Sequence, residues 1–268
     1  MNSVSLLGVP HDENSSFMRG ASEGPALIRR ALNCDAYSIN SETAVDLGAP
    51  GQLVDHGDIS FEGAADPWDR IEERVGGVMD SGGPLICLGG DHAISHPILR
   101  AVRRRNARLT ILHIDAHSDI YDAYLGNRRS HASPFARIME EGLTDRLIQV
   151  GVRTLNDHHR VQIARFDVDL VPRDRWGATG DLVLETPVYI SLDMDALDPA
   201  FAPGVSHREP GGLSTRQVIE LLHSIDQPIV GADLVEYNPR CDISDLTAGV
   251  AAKLLKEIAG MMVKTSRR

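Results

Sequence analysis

The residues best equipped for chemistry stand at the ends of three apolar runs. Residues 109–114 lead into Asp115-Ala116-His117-Ser118-Asp119. If the chain stays extended there, alternate side chains share a face, so Asp115, His117 and Asp119 point one way and Ala116 and Ser118 the other. Two carboxylates a pleat apart at the mouth of a core repel each other and lose solvation, and a cation between them is the simplest remedy. Residues 187–192 repeat the pattern, ending in Asp193 and Asp195 before a turn at Asp198-Pro199. Residues 84–88 run into Gly89-Gly90-Asp91-His92, where the glycine pair permits a close-packed exit. Carboxyl ends of strands are where open α/β sheets bind ligands.

Together His92, Asp115, His117, Asp119, Asp193 and Asp195 offer two imidazoles and four carboxylates. That set exceeds one tetrahedral zinc and suits two six-coordinate divalent ions, whose charge four carboxylates balance. Two such ions about 3.5–4 Å apart can share a bridging water and hold it as hydroxide at neutral pH, so hydrolysis is the expected reaction. The histidines favour manganese over magnesium, and the carboxylates favour it over zinc. A lone aspartate after a strand is ordinarily a turn former or helix cap, and a lone histidine an ordinary structural residue. Recurrence at three strand ends is what moves the reading to a metal centre. His113 keeps the structural reading, and Asp91 is either a turn cap or a support for a ligand. Gly-x-Gly-x-x-Gly spacing is absent, which sets a nucleotide fold aside.

The elements that must position these groups alternate along the chain. Strands are expected at 4–9, 84–88, 109–114, 147–150, 168–171, 187–192 and 229–235, with a weaker one near Val45 or Val54. Helices are expected after Gly24-Pro25, after the N-cap Asp66, from Ser95 and Pro97, from Ser133-Pro134, over 156–166, after the capping box Ser214-Thr215-Arg216-Gln217, and over 246–263. The cluster Arg103-Arg104-Arg105 reads as a solvated helix end, and Trp176-Gly177-Ala178-Thr179-Gly180-Asp181 as a surface loop. Segment 120–132 fits neither period and follows a metal-like strand, as an active-site loop would. Strands alternating with helices imply a parallel sheet covered on both faces, here in one domain spanning 1–268.

Composition narrows the partners. The chain of 268 residues carries 27 Lys plus Arg against 38 Asp plus Glu, a formal charge of −11 that argues against nucleic acid and anionic membranes. Cys34, Cys87 and Cys241 are odd in number and show no paired spacing, as expected of reduced thiols in the cytoplasm. No apolar run approaches a membrane span, and no signal-like leader precedes the first strand.

Gly-Gly-Asp-His-Ala-Ile-Ser at 89–95, Asp-Ala-His-Ser-Asp at 115–119 and Ser-Leu-Asp-Met-Asp-Ala-Leu-Asp-Pro at 191–199 resemble the three signature motifs of the ureohydrolases, the arginase and agmatinase family. The likeness runs from Gly8-Val9-Pro10 and Gly24-Pro25 to Asp233-Leu234-Val235-Glu236-Tyr237-Asn238-Pro239. It implies a three-layer α/β/α sandwich with a mainly parallel sheet, two Mn2+ per subunit held by the six ligands above, homotrimers or homohexamers, and hydrolysis of a small guanidino substrate to urea and an amine. Glu236 then resembles the carboxylate that holds the guanidinium, His131 the loop histidine that moves protons, and Asp119 a ligand that also relays a proton. Stretches 130–140 and 202–213 look most like plant-type arginases, which favours L-arginine. Tyr121 and Asn156 depart from the animal pattern for gripping the amino-acid end, leaving Asn127, Asn156, His207 and Arg208 as candidates for it. Agmatine, which needs no carboxylate partner, is the alternative substrate, followed by another ω-guanidino acid. A non-catalytic, metal-stabilised assembly subunit is a further alternative, against which the retention of His131 and Glu236 speaks.

Overall fold

The computed structural model describes residues 3–176 and 182–266. Its strands are β1 (Val4–Val9), β2 (Leu53–Asp58), β3 (Leu85–Gly89), β4 (Thr110–Ile114), β5 (Arg146–Val150), β6 (Asp169–Leu170), β7 (Val188–Asp193) and β8 (Ile229–Val235). Between and after them lie α1 (Gly24–Leu32), α2 (Pro67–Met79), α3 (Ser95–Arg103), α4 (Pro134–Glu140), α5 (Asp157–Phe166), α6 (Thr215–His223) and α7 (Leu246–Thr265). The eight strands form one sheet in the order β2-β1-β3-β8-β7-β4-β5-β6, and every pairing is parallel.

Alternation along the buried strands builds the layers. In β3, Ile86 and Leu88 join one apolar cluster while Leu85 and Cys87 join the other. In β7, Val188, Ile190 and Leu192 enter the first cluster and Tyr189 the second. Helices α1, α6 and α7 cover the first face, and α2, α3 and α4 the second, so the strands are buried on both sides and read as continuous apolar runs. Local signals set the helix starts. Asp66 accepts a hydrogen bond from Trp68 N at 2.9 Å ahead of α2, and Ser214 and Gln217 close a reciprocal capping box ahead of α6.

One local reading is settled in three dimensions and three change. The weaker strand is β2, so it contains Val54 and excludes Val45. The arginine cluster at the end of α3 is ion-paired: Arg103 meets Asp145 at 3.0 Å, Arg104 meets Glu72, and Arg105 meets Asp80. Trp176 is buried, its indole N–H donating to Val171 O at 3.1 Å, while 177–181 of that expected loop lie outside the described residues. Ser133 precedes α4 without a side-chain cap, leaving Pro134 to set its first turn. No helix among the described residues is long and apolar enough to cross a membrane.

Candidate metal centre

The sheet order makes neighbours of β3, β8, β7 and β4, and each delivers chemistry at its carboxyl end. β3 exits into Asp91 and His92, β8 into Glu236, β7 into Asp193 and Asp195, and β4 into residues 115–119. The pleat does not itself bring the last group together, because β4 stops at Ile114. The chain then turns irregularly, with Asp119 in the left-handed region at φ 45°. Asp195 likewise sits in a short 3-10 turn after β7, and Asp193 Oδ1 accepts its backbone N–H at 2.7 Å.

The six expected ligands converge as two overlapping groups. One holds His92, Asp115, Asp119 and Asp193, all buried; the other holds Asp115, His117 and Asp195, so Asp115 bridges them. His92 Nδ1 lies 3.1 Å from Asp115 Oδ2, 3.1 Å from Asp119 Oδ2 and 3.2 Å from Asp193 Oδ2. It nevertheless has no partner in hydrogen-bonding geometry. On the opposite side of the ring, Ser191 Oγ donates to Asp233 Oδ1 at 2.7 Å, so it must accept from His92 Nε2–H at 2.9 Å. With Nε2 so engaged, Nδ1 is left facing three carboxylate oxygens, an arrangement that requires a positive charge among them, on the ring or on an ion.

The electrostatics agree. Burial opposes a charged His92, but Asp115, Asp119 and Asp193 overcome it and raise its pKa well above the ordinary value. Burial, then Asp195 and Asp115, push Asp193 well up, and burial lifts Asp195 to about 6 against the pull of His117. Groups that share a buried site and cannot all ionise together call for a cation, and oxygen-rich donors with two imidazoles fit divalent ions. His113 supports the site from below: Nε2 lies 2.8 Å from Asp115 Oδ2, Nδ1 lies 3.0 Å from the Gln149 amide, and Phe135 stacks on the ring.

A cavity of about 230 Å³ opens beside the cluster, lined by Asp119, His131, Asp193, Asp195, His207 and Glu236 among others. His131, from the segment expected to be an active-site loop, is buried under this wall. Its Nδ1 lies 3.0 Å from Glu236 Oε1 and its Nε2 2.9 Å from Ser16 Oγ. Burial works against a charge on His131, but Glu236 prevails and holds its pKa up at about 9. Glu236 Oε1 also accepts from His92 N at 2.9 Å, while Oε2 has no hydrogen-bond partner among the described residues.

The candidates for the amino-acid end separate. His207 and Asn156 line the cavity. Asn156 also caps α5, accepting from His159 N, and donates to the Tyr121 hydroxyl at 2.5 Å. Arg208 is turned to the backbone, donating to Pro203 O and Cys241 O, each at 2.9 Å, and does not line the cavity. Asn127 is exposed and donates to Asn14 Oδ1 at 3.2 Å, also away from it. Local spacing gives no sign of Ser16, Tyr124, Thr154 and Glu209, which reach the cavity from loops, or of His159, which reaches it from the first turn of α5.

A family model described as the arginase family matches residues 2–260. "Arginase 1, mitochondrial" of Arabidopsis thaliana is 45% identical over 280 residues, covering 98% of this chain and 82% of that protein. The N(1)-aminopropylagmatine ureohydrolase of Thermus thermophilus is 38% identical, covering 88% of this chain and 83% of its own. The solved arginase of Medicago truncatula superposes with a TM-score of 0.92 at 41% identity, covering 97% of this chain and 87% of that one. These names correct the cytoplasmic expectation: several plant relatives are named mitochondrial or chloroplastic/mitochondrial, which points away from a plain cytoplasmic assignment. Reduced cysteines do not distinguish the cytoplasm from an organelle interior that also keeps thiols reduced.

Proposed function

The chain belongs to the arginase family of hydrolases acting on small guanidino compounds, and from that premise we propose that it converts L-arginine and water to L-ornithine and urea with two Mn2+ per subunit. The observation that carries the choice of arginine is 45% identity to a plant arginase over nearly the whole chain. His92, Asp115, Asp119 and Asp193 would hold one ion, and Asp115, His117 and Asp195 the other. When bound, such a pair of divalent ions activates water at neutral pH and stabilises developing negative charge.

The protein's own groups supply orientation and proton transfer. The unpartnered Oε2 of Glu236 accepts guanidinium N–H bonds, and His131 and the His92 backbone N–H fix that carboxylate through Oε1. His131, carrying both ring protons at neutral pH, is the acid for the departing amine. Assembly as a trimer or hexamer is part of the same reading, and light scattering measures it.

A second substrate has one specific observation in its favour. No Lys or Arg side chain is among the described residues lining the cavity, so apart from the histidines an α-carboxylate meets neutral donors such as Asn156, Tyr121 and Tyr124. Agmatine lacks that carboxylate. Urea release from manganese-loaded protein, with arginine, agmatine and a guanidino acid offered separately, decides between them. Turnover of agmatine alone replaces the arginine reading, and absence of urea from all three refutes both.

A further inference from the structure

Both ring nitrogens of His131 are occupied. Nδ1 faces Glu236 at 3.0 Å, and Nε2 faces Ser16 Oγ at 2.9 Å. A proton leaving Nδ1 would pass to Glu236 and neutralise the carboxylate assigned to the guanidinium. The Nε2 route leads to one atom, the hydroxyl oxygen of Ser16. Ser16 is exposed and lines the cavity together with His131 and Glu236. With Nε2 protonated, Ser16 Oγ accepts that proton's hydrogen bond, and its own O–H has no other partner among the described residues.

The loop carrying Ser16 is held in place on both sides. Asp91, buried beneath it, accepts from Asn14 N at 2.9 Å and Ser15 Oγ at 3.5 Å. His131 N donates to Asn14 O at 3.2 Å, so the serine and histidine segments are joined through backbone as well as through Oγ. Such a doubly tied loop fixes a short donor–acceptor line at no entropic cost during the reaction.

Resting on the ureohydrolase reading, we infer that Ser16 is the proton outlet of His131. In the step, the Ser16 O–H bond breaks as its proton passes to the leaving amine nitrogen. The oxygen takes the Nε2 proton of His131 at the same time, which regenerates the hydroxyl and leaves neutral imidazole. Solvent then returns the proton to the ring. No oxidant, reductant or co-reactant enters, and the bond counts balance.

The test is steady-state kinetics of manganese-loaded Ser16→Ala and Ser16→Thr beside wild type, with manganese binding by calorimetry as a second readout. Ser16→Ala is expected to lower kcat by about 10²-fold, the low end of the range for general acid–base catalysis because water can partly replace the hydroxyl. KM and manganese affinity stay within about twofold, and Ser16→Thr recovers most of kcat. Combining Ser16→Ala with His131→Asn is expected to be no worse than His131→Asn alone, since the two act in series. Wild-type kcat in Ser16→Ala, a loss confined to KM, a parallel loss of manganese affinity, or no recovery by threonine overturns the relay while urea production stands. Absence of urea from wild type with every guanidino substrate overturns the relay together with the reading beneath it.

Discussion

Replacing Asp193 with asparagine separates the energetics of the metal-free cluster from its capacity to bind ions. The ligand atoms of His92, Asp115, Asp119 and Asp193 all lie within 4.8 Å of one another. Two full negative charges at 4.8 Å repel by about 3.5 kcal/mol at an effective dielectric near 20. Three such carboxylates cannot all stay ionised without a cation, and Asp193 is the one whose pKa burial and its acidic neighbours push well up. In metal-free protein Asp193→Asn therefore exchanges a carboxyl already inclined to be neutral for a near-isosteric amide, and stability is expected to stay within about 1 kcal/mol of the parent. With manganese the two proteins part company. One ion at 100 times its Kd stabilises the native state by about 2.7 kcal/mol, or about 5–10 °C in Tm for a chain of this size. On the proposed assignment of Asp193 as a ligand, the variant forfeits most of that gain because one charged donor is lost. Scanning calorimetry of metal-stripped protein, before and after manganese addition, measures both arms. A metal-free variant that melts more than about 5 °C below wild type, or one that retains the full manganese gain, refutes the reasoning.

Three further outcomes follow from the same physics. Gly90→Ala would place Cβ 1.7 Å from the His11 carbonyl oxygen and 2.6 Å from its carbon; backbone cannot step aside, so a loss above about 3 kcal/mol is expected by urea denaturation. His96, 2.9 Å from Glu141, has its pKa lowered to about 4 because burial outweighs that carboxylate, which Arg100 also engages. A folded pKa below the unfolded 6.5 means that stability is full above pH 6.5 and lost as pH falls toward 4, by about 3 kcal/mol, and His96→Gln should flatten that decline in denaturation curves at pH 7, 5.5 and 4.5. Asp242 accepts from Ile243 N, Thr247 N and Ala248 N at the start of α7 and from the Tyr237 hydroxyl, so Asp242→Ala should lower stability by about 1–2 kcal/mol, read as a fall of a few degrees in Tm.

Local periodicity and punctuation were enough to place most elements and to single out the metal-competent residues that the structure brings together. Apolar runs bounded by glycine, proline or aspartate became strands, and Asp66 and Ser214 became helix caps, because these choices depend on a few neighbouring residues. The metal-type residues were legible because they recur at strand ends, each immediately after its run. Their mutual arrangement was not legible. Alternation suggested that the pleat aligns Asp115, His117 and Asp119, whereas β4 ends at Ile114 and a left-handed Asp119 returns the chain to the cluster. Arg208 had the right charge for a substrate carboxylate, yet the carbonyls of Pro203 and Cys241 claim its guanidinium.

By itself, the sequence determined that three strands end in residues able to hold metal ions, since residue type and position along the chain are local facts. Only the tertiary structure decided that β3, β8, β7 and β4 are neighbours, that Asp115 is shared between two ligand groups, and that Ser16 meets His131 across 115 positions of sequence. Those relations arise from packing both faces of the sheet, whose long-range contacts fix strand order and loop approach in a way that no window of neighbouring residues encodes.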